Sequence, residues 1–238
     1  KDRFPGLLQY MRRDGSPLAP GDTLRQEDLA RTLEAIAADG PTAFYEGAIA
    51  ERIVDEIRAG GGIVSKKDLA DYRVRFREPL RGSYRGFEIL SAPPPSSGGT
   101  VLLEILNILE GYDLEEMGFQ TDRMIHYMVE AERRAYADRA QHLGDPDFID
   151  NRVSHLIDKG YANNLRKSIT PQATPSSAVS ASPSPPGEKD QTTHFSIVDR
   201  EGSVAAVTYT LNDSYGSKTV VRNCGFLLNN EMDDFSIK

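Results

Sequence analysis

The chain has 238 residues, with 28 Lys plus Arg against 36 Asp plus Glu and a formal net charge of −8. That length holds one or two ordinary domains, and 39% hydrophobic with 27% charged residues is a globular composition able to bury a core. The acidic balance argues against a partner with a phosphate backbone, so no nucleic acid is expected, and the most apolar run, Val101 to Leu109, is too short and too interrupted by Glu104 and Asn107 to span a bilayer.

A single cysteine, Cys224, rules out an internal disulfide framework and a multi-cysteine metal site, and leaves the redox compartment open. The sequence starts at Lys1 without Met and ends at Lys238 in a charged, turn-like stretch, so both ends read as cut, and the missing leader carries no information.

In chain order, residues 24–38 place Leu29, Leu33, Ile36 and Ala37 at helical spacing, and Asp39-Gly40-Pro41 ends that helix. A second helix is expected from Ala43 to about Arg58, with Ile49, Ile53, Val54 and Ile57 on one face and Gly60-Gly61-Gly62 as its stop. Ser65 caps a short helical turn over Lys66 to Tyr72. Leu80 to Leu90 reads as extended with a turn at Arg85-Gly86. The run from Ala92 to Gly99 is a proline-rich loop leading into a helix over Val101 to Glu110. A long helix follows from Asp122 to about His142 with Ile125, Met128, Val129 and Tyr136 as its apolar face, and another from Val153 to Lys167.

Thr170 to Gly187 is dominated by proline, serine and alanine, the composition of a flexible or polyproline-like connector and the clearest boundary in the chain. Beyond it the pattern turns to strand. Thr193 to Val198 is β-rich, Asp199-Arg200-Glu201-Gly202 makes a turn, and Ser203 to Thr210 returns.

Several stretches could carry chemistry. Ser96-Ser97-Gly98-Gly99 at a helix start is either a structural loop or an anion site, without the Lys and spacing of a P-loop. The carboxylates between Leu143 and Asp150 lack the glycine turn and distal Glu of a calcium loop and read as a capping turn. His126, His142, His155 and His194 form no close ligand pair, so no metal is expected, and Cys224 reads as a small residue in a strand region. At Gln191-Thr192-Thr193-His194 the connector meets the first strand. Thr192 is either a plain strand threonine or, if the chain is cut before it, a hydroxyl beside its own free α-amine, so that one residue supplies nucleophile and base.

Four stretches, PPPSSGG (Pro93 to Gly99), YADRAQHLGDPDF (Tyr136 to Phe148), TTHFSIVDREGSVAAVTYTLN (Thr192 to Asn212) and GFLLNNEMDDFS (Gly225 to Ser236), resemble the gamma-glutamyltransferases, also called gamma-glutamyltranspeptidases or glutathione hydrolases. The resemblance spans nearly the whole chain. It implies an α/β fold that is part of the αββα sandwich of N-terminal-nucleophile hydrolases, made as one precursor that cleaves itself between Gln191 and Thr192. On that basis residues 1–169 are the end of a mostly helical large subunit, 170–191 the connector, and 192–238 the start of the small subunit.

The same resemblance makes Thr192 the nucleophile, Thr210 the threonine whose hydroxyl holds it, and Asn212, Glu231 and Asp234 the residues that bind the amino-acid end of the donor. It implies no cofactor. The implied partners are a small-molecule gamma-glutamyl donor such as glutathione, an amino-acid, peptide or water acceptor, and the large and small subunits of the same precursor. The compartment would be periplasmic or extracellular. The family's upstream arginine and its downstream Ser-Ser pair and Gly-Gly oxyanion hole have no match that can be placed in this sequence. Competing readings are a related acylase acting on a beta-lactam side chain or poly-gamma-glutamate, and an inert binding module.

Overall fold

The computed structural model describes residues 10–11, 14–179 and 192–234. They fall into two compact units, one joining residues up to Val74 with those from 192 to 234, the other holding residues from Arg75 to 179.

The first unit packs three helices, α1 (Glu27–Asp39), α2 (Pro41–Tyr45) and α3 (Ala48–Ala59), followed by the short α4 (Lys66–Asp71). Ser65 and Asp68 form a reciprocal capping box at α4, as the sequence pattern requires. The single helix expected over 43–58 is two helices, because Gly47 breaks the run and becomes the N-terminal boundary of α3. Ile49, Ile53 and Val54 are buried as expected. The face of α1 is not the expected one. Leu33 is 57% exposed, and Thr32 takes the buried position, donating its hydroxyl to the Cys224 carbonyl at 2.9 Å.

Cys224 is fully buried in a turn rather than a strand, and it packs with Val221, Ile49 and Ile53 while Phe226 rests on Phe44 at 5.7 Å between ring centres. Gly225 makes this closure possible. Its φ is +73°, and a Cβ there would stand 2.5 Å from the Leu29 amide nitrogen. Gly225→Ala is therefore expected to cost at least about 1–3 kcal/mol, seen as a lowered urea midpoint, and an unchanged midpoint would contradict this account of the closure.

From this unit projects an antiparallel hairpin, β3 (Thr193–Val198) with β4 (Val204–Tyr209), paired from Thr193↔Tyr209 to Val198↔Val204. Its turn is held by Asp199, whose carboxylate accepts from the Ser203 amide at 2.8 Å.

The second unit opens on a hairpin, β1 (Leu80–Tyr84) with β2 (Phe87–Ser91), turned at Arg85-Gly86 as expected. Helix α5 (Gly98–Leu109) begins three residues earlier than the sequence suggested, and the buried Gly99 sits where a Cβ would meet the Ala92 carbonyl at 2.1 Å. After one turn, α6 (Leu114–Met117), comes α7 (Asp122–His142), capped by the Thr121 side chain at the Met124 amide. The helix expected over 153–167 is again two, α8 (Val153–Leu156) and α9 (Lys159–Arg166), because the Asp158 side chain accepts from the Tyr161 amide and starts a new helix.

The length of α7 is as expected, but its buried face is not. Ile125, Val129 and Tyr136 are 48%, 43% and 47% exposed, whereas Ala131 and Ala135 are fully buried among Glu130, Arg134 and Asp138. Small alanines let α7 approach α5 closely, and the buried charges are satisfied by partners distant in sequence. Around them Ile108, Leu109, Ala162 and Ile169 form the core.

The connector is anchored at its start. Glu130 Oε1 accepts from the Thr174 amide at 3.1 Å, and α10 (Ser176–Val179) forms a helical turn where a flexible or polyproline-like chain was expected. Residues 180–191 of the connector, Gln191 among them, lie outside the described residues. The 143–150 segment is a turn. Asp145 accepts from the Asp147 amide at 2.9 Å, and Asp147 pairs with Arg77 at 2.9 Å. Among the described residues no helix is long and apolar enough to cross a membrane.

Candidate active site

Thr192 is exposed and immediately precedes β3. Carrying the β3–β4 register one place beyond Thr193↔Tyr209 sets Thr192 across from Thr210. Strand alternation then gives Thr192, His194, Ser196, Thr208 and Thr210 one face of the hairpin, and Phe195, Ile197, Val207 and Tyr209 the other. The polar face is joined by hydrogen bonds. His194 Nδ1 lies 2.7 Å from Thr208 Oγ1 and its Nε2 3.3 Å from Ser196 Oγ.

At the end of β4 the Thr210 hydroxyl oxygen accepts from the Asn212 amide at 2.9 Å. Asn212 has φ +70°, a left-handed conformation that asparagine tolerates better than most residues, and it turns the chain out of the strand. Its side-chain Nδ2 donates to the Asn230 carbonyl at 3.0 Å.

The chain between Asn212 and Asn230 folds back on itself. Ser217 N donates to the Leu228 carbonyl, Leu228 N to that of Thr219 and Val221 N to that of Phe226, each at 2.9 Å. The far end of this loop, Val221 to Phe226, is the part buried against α1–α3. Gly216 (φ +52°) allows its strands to meet, since a Cβ there would stand 2.2 Å from the Leu228 carbonyl oxygen. The loop is thus fixed at its tip by the helical core and presents its open end, Asn212 and Asn230, beside β4.

Asn230 holds that open end together. Its amide donates to the Leu211 carbonyl at 3.1 Å, its Oδ1 accepts from the Asp213 amide at 3.1 Å, and its Nδ2 donates to Asp233 at 2.8 Å. A single turn of 3-10 helix, Glu231–Asp234, follows directly. Glu231 is half-buried, and its amide donates to Asn229 Oδ1 at 3.0 Å. Asp234 lies in the same turn; its side chain is outside what the structure describes.

Four residues singled out in the sequence, Thr192, Thr210, Asn212 and Glu231, therefore lie along one continuous path of strand, turn and folded loop. Asn230, the residue that joins them, was not anticipated. The available signal was Asn229-Asn230 directly after Leu227-Leu228, two side chains suited to bonding nearby backbone at the end of an apolar run. Of the other histidines, His126 Nε2 is 2.7 Å from the Thr170 carbonyl, and His155 packs on Tyr161. Among the described residues no three of His, Cys, Asp and Glu converge as metal ligands.

The family model for gamma-glutamyltranspeptidase matches residues 2–238. The chain belongs to this family. This gamma-glutamyltranspeptidase-family chain is 48% identical over 238 residues to the glutathione hydrolase proenzyme of Pseudomonas sp. (strain A14), a match covering 100% of the chain and 41% of that relative. It spans about two-fifths of the length of the relative it matches. Among solved structures it resembles the Helicobacter pylori gamma-glutamyltranspeptidase (TM-score 0.71, 42% identity, 74% of this chain and 51% of that one). It also resembles the cephalosporin acylase of Bacillus halodurans (TM-score 0.79, 27% identity, 99% of this chain and 42% of that one). The α/β class expected from the sequence is the observed one, and these neighbours are N-terminal-nucleophile hydrolases.

Proposed function

We propose that this chain carries the nucleophile of an enzyme that transfers or hydrolyses gamma-glutamyl groups, with Thr192 as the attacking residue after self-cleavage of a precursor behind Gln191. The observation that carries this reading is the hairpin register, whose continuation one place beyond Thr193↔Tyr209 brings Thr192 across from Thr210, together with the hydrogen bonds that run from Thr210 through Asn212 to the acidic turn at Glu231. On this reading residues 1–169 end the large subunit, 170–191 are the connector, and 192–238 begin the small subunit.

The free α-amine of Thr192, with a reference pKa of about 7.7–8.0, takes the hydroxyl proton. The hydroxyl oxygen attacks the gamma-carbonyl carbon of the donor, the amine leaves, and the resulting ester passes to water, an amino acid or a peptide. Thr210 positions the nucleophile, and Asn212, Glu231 and Asp234 receive the donor's amino-acid end. Glutathione is the natural donor class, and the compartment is periplasmic or extracellular.

A cluster of carboxylates suits an α-ammonium group, because charge-assisted hydrogen bonds are the strong ones. Glu231→Gln or Asp234→Asn in the full-length precursor is expected to leave self-cleavage intact and weaken the donor by about 1.5–3 kcal/mol, on the order of ten- to a hundredfold in kcat/KM. Steady-state kinetics with a gamma-glutamyl anilide provide the measurement, and unchanged donor kinetics in both variants would count against the assignment.

The likeness to a cephalosporin acylase supports a second reading, an acylase with the same nucleophile and another pocket. The acidic turn favours a donor with a free α-ammonium, so a preference for an acyl beta-lactam lacking that group would select the acylase instead.

A further inference from the structure

The helices of the second unit bury two carboxyl groups against each other. Glu104, in the middle of α5, is 1% exposed, and Asp138 on α7 faces it at 9%. Tyr161 on α9 donates its hydroxyl to Asp138 Oδ2 at 2.6 Å, and the ring of His155, on α8, lies 4.3 Å from that of Tyr161. Both Glu104 oxygens are shut off from water and, with the group written as a carboxylate, accept no hydrogen bond. Two carboxylates only accept, so without a proton they repel and cannot bond to each other.

The cations on the surrounding elements have other partners. Arg134 on α7 is bonded to Glu130 and Ser168, and Arg139 Nε donates to Ser97 Oγ. On α9, Arg166 donates to the Asn107 and Ile108 carbonyls. On the hairpin that also packs on α5, Arg81 pairs with Glu88, and Gly82 lies against Leu103.

We propose that Glu104 and Asp138 share one buried proton, carried by Glu104 and donated to Asp138, and that this bond together with Tyr161 clamps α5, α7 and α9. The clamp rests on the fold alone and is independent of the proposed reaction. Burial, then the hydrogen bond to Asp138 and its charge, push the Glu104 carboxyl up to about 9.

A folded-state pKa above the unfolded one means that the stabilisation is complete below the ordinary carboxyl range, drains as pH rises, and is gone above about 9. Gln at position 104 keeps a donor for Asp138 but has no proton to lose.

The test uses the full-length precursor. Its infrared spectrum at neutral pH should contain the carbonyl stretch of a protonated carboxyl group, and Glu104→Gln should remove that band. Urea midpoints measured from about pH 5 to about pH 10 should fall more steeply for the wild type than for Glu104→Gln, with the two closest together at the acid end and furthest apart above about pH 9. A wild-type spectrum without the band would overturn the proposal, and needs no variant to fold. So would a Glu104→Gln protein that keeps both the band and the wild-type alkaline decline. An absent band with a midpoint raised by sodium, potassium or calcium ions would replace the proton by a bound cation.

Discussion

Replacing Thr192 by alanine in the full-length precursor is expected to leave a single uncut chain with no gamma-glutamyl transfer. Self-cleavage before Thr192 needs its hydroxyl oxygen to attack the Gln191 carbonyl carbon, shifting the acyl group from nitrogen to oxygen. The shift breaks the C–N bond and frees the α-amine, and water then hydrolyses the ester, releasing the Gln191 carboxylate and restoring the Thr192 hydroxyl. Alanine has no oxygen for the first step and none for the later attack on a donor, so both activities disappear together. Removing a catalytic nucleophile commonly costs on the order of 10⁶-fold in kcat. Thr192→Ser keeps the oxygen and should retain both steps. Intact mass after purification gives the first readout and anilide turnover the second. A Thr192→Ala protein that still yields a fragment beginning at residue 192 would remove Thr192 from the mechanism.

The geometry gives this expectation its specificity. A threonine at a frayed terminus would be a poor place for a nucleophile, because reacting groups need positions held to a fraction of an ångström. Thr192 instead adjoins a six-residue strand paired along its whole length, and the facing strand runs into a loop whose tip is buried in a helical core. The chain of bonds from Thr210 through Asn212 to Asn230 ties the end of β4 to the acidic turn. Gly225, at the tip of this loop, serves the same purpose by letting the tip close on α1.

Local signals made much of this legible in the sequence. The β3–β4 hairpin follows from alternation and a polar turn, and the limits of α7 follow from Thr121 and the end of its helical pattern, because such signals act over a few residues. The buried face of α7 was hidden for the opposite reason. Glu130, Arg134 and Asp138 look like solvent-facing charges until Ser168, Thr174 and Tyr161 arrive from more distant stretches, and no periodicity rule sees that pairing. The breaks at Gly47 and Asp158 were readable, since glycine and a capping aspartate are both interruption signals, but the apolar spacing on either side outweighed them. At the candidate site, Thr192, Thr210, Asn212 and Glu231 came from motif resemblance, while Asn230 came only from the fold, since its partners Leu211 and Asp213 lie across the loop.

The same buried charges give the largest expected change in stability. Arg134 is 6% exposed and Glu130 1%. Arg134 donates to Glu130 Oε2 at 2.6 Å, to Ser168 Oγ at 2.9 Å and to Thr174 Oγ1 at 3.2 Å, so it holds both a buried carboxylate and the start of the connector. Arg134→Met leaves Glu130 charged and buried with Arg133 as its remaining cation, a change that typically costs about 3–5 kcal/mol. Against a total of about 5–15 kcal/mol for a domain, that is enough to unfold a marginal one. Changing Glu130 to Met as well should recover part of the loss, because no charge is then stranded.

The pH dependence separates this from a simple packing defect. Burial alone would raise the Glu130 carboxyl, but hydrogen bonds from Thr174 and Arg134 and the charge of Arg133 outweigh it and hold the group down at about 2. A folded-state pKa below the unfolded one contributes stability that is present at neutral pH and lost as pH falls from the ordinary carboxyl range toward about 2. Without Arg134 that depression weakens, burial counts for more, and Glu130 should take up a proton more readily in the folded state. The gap between wild type and Arg134→Met in urea midpoint should therefore be widest near neutrality and shrink in acid. A gap that is absent at neutral pH, or that widens on acidification, would show that the buried pair does not stabilise this unit.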